Sequence, residues 1–126
     1  MIRVIAALLA MAGFCGISCA CEGDASSWSA RFLALKAVRG HFDGGPWMAD
    51  VDRFGGAKHE LMKCLSTRAV ADHVDAVQLL RWMGHPDEMS VHPQVWTYHW
   101  RGTHDRLAFT LHDGRVAKAD WLLALE

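Results

Sequence analysis

The chain has no charge excess. Its 126 residues carry 13 Lys and Arg against 14 Asp and Glu, a formal net charge of −1. A near-neutral chain has no electrostatic footprint for nucleic acid. It also lacks the spacings that mark common chemistry. None of its four cysteines forms a Cys-x-x-Cys motif, which excludes thioredoxin-like and zinc-ribbon readings. His59-Glu60 opens like a zinc-protease motif, but Lys63 stands where the second histidine belongs. No two of the eight histidines fall at i, i+4 on a predicted helix. Neither Gly44-Gly45-Pro46 nor Gly55-Gly56 follows a strand or ends in Gly-Lys-Ser/Thr, so neither is a phosphate loop. Asp50 and Asp52 have calcium-loop spacing, but Phe54 follows and no glutamate closes the loop. There is no Gly-x-Ser-x-Gly. Cys64 has no activating base, because His59 projects from a different helical face. These absences predict no catalytic residue, no metal site and no cofactor.

With 52% hydrophobic and 21% charged residues, what is present reads as one globular domain. Residues 1–20 have the layout of a secretory signal peptide. Arg3 is followed by the apolar run Val4–Ala12, then Gly13, Gly16 and the small residues Ser18 and Ala20. The run is short for a membrane span. Ile17-Ser18-Cys19-Ala20-Cys21 resembles a bacterial lipobox, and Ser18-Cys19-Ala20 also suits ordinary signal peptidase. Both cuts fall before Cys21. The favoured reading attaches a lipid to Cys21, anchoring the domain to a membrane without spanning it. If Cys21 carries no lipid, an oxidising compartment allows it to pair with Cys64.

Residues 21–27 read as a tether and 28–126 as a single domain. Trp28, Phe32, Leu35 and Val38 form one helical stripe, with Ser26 or Ser27 as the cap. Residues 41–56 form a glycine-punctuated connection in which Trp47, Met48, Val51 and Phe54 read as core plugs. Trp47, beside Pro46, is the one most open to a partner. A short helix is predicted over 57–65, extending towards 74 before a break. A third runs over 75–83, opened by the Asp75/Gln78 capping pattern and closed by Gly84 as a left-handed cap.

The period then changes from 3.6 to 2. Trp96, Tyr98 and Trp100 alternate with polar residues, as do Leu107, Phe109 and Leu111. With Gly102–Asp105 as a four-residue turn, Tyr98 pairs with Phe109, Trp100 with Leu107, and Thr97 with Thr110. A three-residue His112-Asp113-Gly114 loop leads to the last strand and pairs Phe109 with Ala117. A two-residue Asp-Gly turn is rejected, since it puts Lys118 and Asp120 on the apolar face. The expected architecture is α+β: two to three short helices packed on one face of a three-stranded antiparallel β-meander.

The segment ending Leu-Leu-Arg-Trp-Met-Gly84-His-Pro86-Asp87, then Val95–Arg101, then Leu107–Val116 with Asp113-Gly114, resembles small exported modules of the SmpA/OmlA (BamE-like) family. It is also similar to β-lactamase-inhibitor-like modules. The likeness covers about Ala57 to Trp121. It implies an exported protein of the periplasm or outer membrane that binds a protein partner of the cell envelope. The alternative is a secreted inhibitor or immunity-type protein that blocks a partner enzyme. The sheet face bearing Thr97, His99, Thr110 and Lys118 has no chain left to cover it. With Trp47 it forms the candidate partner surface.

Overall fold

The structure is a computed structural model that describes residues 21–124; the predicted signal peptide lies outside them. The segment Cys21–Ser27 is no tether. Asp24 caps helix α1 (Ala25–Lys36), its Oδ1 accepting from Ser27 N at 2.8 Å, and Trp28 Nε1 donates to Glu22 O. Cys21 is joined to Cys64 in a disulfide. A sulfur so bonded is not free to carry a lipid, so in this structure the disulfide stands in place of the favoured lipid attachment at Cys21.

After α1 come a short 3-10 turn (His41–Asp43) and a single helical turn, α2 (Ala49–Asp52). Helix α3 (Ala57–Ala71) takes in residues 66–71 as well as 57–65 and ends before His73, whose φ of 45° breaks the helix. Helix α4 (Ala76–Met83) is capped as expected, Asp75 Oδ1 accepting from Gln78 N at 2.8 Å. Gly84 has positive φ (72°), but its ψ of −166° makes it an extended mirror-image residue instead of a left-handed cap.

The sheet has four antiparallel strands in the order β1 (Glu88–Val91), β2 (Gln94–Arg101), β3 (Asp105–His112) and β4 (Arg115–Leu122). Strand β1 is the addition to the expected meander. It is exposed along its whole length, so it leaves no apolar alternation to read.

The predicted faces hold in β2 and β3 and the predicted pairings do not; in β4 Val116 is buried and Ala117 exposed, the reverse of the expected register. Tyr98 pairs with Leu107 and Trp96 with Phe109, two residues from the expected register, and Thr97 lies opposite Ala108. Two changes add up to this shift: the turn has three residues, Gly102–His104, instead of four, and Trp100 is a bulge between the pairs His99–Arg106 and Arg101–Asp105. A shift of two preserves which side chains share a face. At the far end, His112 pairs with Arg115, so Asp113-Gly114 is the two-residue turn that was rejected. Both residues have positive φ, 51° and 75°, as such a hairpin turn requires. A second bulge at Ala117 restores the phase. It turns Val116 inward, fully buried, while Ala119 and Trp121 still face the helices.

One core joins the two layers. Phe32, Leu61, Met62, Leu65, Leu79 and Met83 from the helices meet Tyr98, Trp100, Leu107 and Phe109 from the sheet. Burial of large side chains of this kind is the main term favouring the fold, each worth about 1.5–3 kcal/mol. Tyr98 carries a hydroxyl into this core and donates it to Gly84 O at 2.9 Å. No helix among the described residues is long and apolar enough to cross a membrane.

Candidate functional site

The connection between α1 and α3 is held from within by one carboxylate. Asp52 is fully buried, and its Oδ2 accepts from His41 N (2.9 Å) and Met48 N (2.7 Å). Buried charged acceptors with two backbone donors fix a loop strongly. Gly40 is required beside it, because a Cβ there would overlap the carboxylate. The loop is also tied to the sheet. Trp100 Nε1 donates to Val51 O at 2.8 Å, and Arg101 Nη1 donates to Asp52 O. The Arg101 guanidinium lies between the rings of Phe42 and Trp100, 4.6 and 4.2 Å from their centroids, and pairs with Asp105 at 2.8 Å.

This pinned frame turns apolar side chains outward. Of the four residues read as core plugs, only Val51 is buried. Trp47 is 56% exposed, Met48 39% and Phe54 64%, and Phe42 joins them at 47%. Trp47 and Phe42 lie 6.4 Å apart by centroid, with His41 against both. The corrected reading has a physical cause: Val51 and Asp52 take the interior of this connection, and Met48 and Phe54 on either side of them face solvent.

Thr97, His99, Thr110 and Lys118 share the sheet face turned away from the helices. Lys118 is exposed, Thr110 and His99 are half-buried, and Thr97 is buried at 8%, so the face is less open than expected at its centre. His99 Nε2 lies 2.8 Å from Glu88 Oε2, with Arg106 Nη1 3.4 Å from the same oxygen. The His99 hydrogen bond, assisted by Arg106, holds the Glu88 carboxyl below its ordinary value. These residues border an open cleft of about 850 Å3 shared with His104 and Leu122. Trp47 is not on this face. It belongs to the separate aromatic loop.

Among the described residues no group of three His, Cys, Asp or Glu side chains is placed to hold a metal. His59 is 4% exposed and stacked on Trp100. Reasoning from sequence missed Phe42, Asp52, Arg101 and Lys58. Their roles come from contacts distant in the chain, and only the glycines flanking Asp52 mark the turns it closes. Comparison with protein-family models, with curated proteins and with solved structures finds no match to this chain.

Proposed function

We propose that the chain is an exported cell-envelope protein that binds another protein through the Phe42–Trp47–Met48–Phe54 loop. The observation that carries this reading is the rigid display of four large apolar side chains by a loop fastened to a buried carboxylate. Exposed apolar clusters mark interaction sites, and aromatic anchors dominate binding energy at interfaces. A fixed loop loses little conformational freedom on binding, which favours affinity. The Cys21–Cys64 pair suits an oxidising compartment. The sequence likeness to SmpA/OmlA-type modules points to the same kind of role, although fold by itself carries no function.

The same rigidity suits a second role, an inhibitor that plugs the active site of a partner enzyme. A photo-crosslinking residue at position 47 distinguishes the readings in an envelope extract. The first expects a discrete protein adduct at 47, absent with the probe at 110. The second expects that adduct to be an enzyme whose activity falls on binding. Trp47→Ser with Met48→Ser should weaken the interaction at least tenfold with the melting temperature unchanged. An unaltered affinity in that variant sinks both.

A further inference from the structure

Lys58, in the first turn of α3, is a buried cation in no direct ion pair among the described residues, with the Asp43 and Asp87 carboxylates acting on it through space. It is 5% exposed, and among the described residues its ammonium takes part in no hydrogen bond and no ion pair. Buried charges in proteins are otherwise paired, because an unpaired one loses its hydration with nothing in return. The side chain lines a cavity of about 250 Å3 bounded also by Lys36, Arg39, Asp43, Asp87 and Trp100.

The neighbours are partly committed already. Lys36 Nζ donates to Met83 O (2.9 Å) and His85 O (2.6 Å). Arg39 Nε donates to Asp43 O at 2.8 Å, leaving the ends of its guanidinium unused by this bond. Asp87 Oδ2 accepts from His99 N at 2.8 Å. Three cations and two carboxylates line the cavity, and the Asp52 carboxylate, which acts on Lys58 from behind the lining, is already taken by the His41 and Met48 amides. The donors left over are those of Lys58, with Arg39 beside it. Burial lowers the Lys58 pKa, with Asp43 and Asp87 opposing the shift.

We propose that this cavity is a binding site for a small carboxylate monoanion, with Lys58 as its principal partner and Arg39 as the second. The lining fits one negative charge, and Asp43 and Asp87 disfavour a multiply charged ion such as phosphate. The cavity holds about eight water volumes, enough for an anion of a few carbon atoms and too little for a drug-sized ligand. This site is separate from the aromatic loop, and the inference does not rest on the proposed protein partner.

Acetate is the probe. Titrated into the 15N-labelled protein against sodium chloride of equal ionic strength, it should give saturable amide shifts at Lys58, Arg39 and Asp87. Lys58→Met should abolish saturation, or weaken it at least tenfold, while retaining the dispersed spectrum of a folded protein. Should that variant fail to fold, Lys58→Gln serves in its place, and Arg39→Gln in the native background should weaken acetate severalfold. Three outcomes overturn the proposal. Acetate has no saturable effect on the wild type, chloride reproduces the effect, or the Lys58 variants bind acetate as the wild type does. Phosphate binding more tightly than acetate also overturns the assignment of ligand class.

Discussion

The imidazole of His59 lies flat on the indole of Trp100, with ring centroids 4.0 Å apart and planes 12° from parallel. Its Nδ1 accepts from Gly55 N at 2.9 Å, which requires that nitrogen to be unprotonated. Burial, and secondarily the charge of Lys63, lowers its pKa from 6.5 to about 4. Between those values the unfolded chain takes up a proton that the folded one refuses. Stability is therefore complete above about pH 6.5 and declines as pH falls towards 4, by on the order of 2 kcal/mol after solvent screening. Urea melts from pH 7 to pH 4 should show the decline, and His59→Phe should flatten it.

The disulfide closes a loop with a sequence separation of 43. Chain-entropy arguments put its effect at about 4 kcal/mol, acting through the unfolded state. Cys21→Ser with Cys64→Ser should lower stability by about 2–4 kcal/mol in denaturant melts. Reductant should act on the wild type and leave the double variant unmoved.

Phe109 and Thr110 are neighbours on opposite faces of β3. Phe109 is fully buried and meets Tyr98 edge to face, centroids 5.7 Å apart. Phe109→Ala should cost about 3–5 kcal/mol, the usual loss for a truncated core aromatic. Thr110→Ala should cost under about 1 kcal/mol. Denaturant melts of the two variants check the facing of the whole sheet, and the reverse order would refute it.

Asp52→Ala removes the acceptor shared by the His41 and Met48 amides. A loss of about 2–3 kcal/mol is expected, since hydrogen bonds to charged groups are the stronger kind. Limited proteolysis should then cut within residues 41–50 at a rate the wild type does not show. Asp52→Asn, which keeps a carbonyl oxygen for both donors, should be milder on both counts.

The parts of the fold legible in the sequence are those set by near neighbours. The Asp75–Gln78 cap spans a single turn, and the facing of Tyr98 and Phe109 follows from alternation alone. Register was not legible, because an alternating pattern looks the same after a shift of two. The three-residue turn at Gly102–His104 and the bulge at Trp100 together make that shift. Strand β1 was hidden because none of its residues is buried. The loop was misread for a different reason. Apolar residues near glycines suggest plugs, but which of them turns inward depends on Asp52 reaching back to the His41 amide across the loop. Lys58 gave no signal, since a lysine near a helix start ordinarily faces water.

Ala117 has no partner in the ladder, for Leu111 pairs with Val116 and Thr110 with Lys118. Losing one codon from a β-strand normally turns everything beyond it inside out. Here the loss of Ala117 leaves Val116, Lys118, Ala119 and Trp121 each opposite the residue it already faces. At this point the gene can shorten by a single triplet and the sheet keeps its two sides. The same loss at Ala119 would drive Lys118 or Asp120 into the helices.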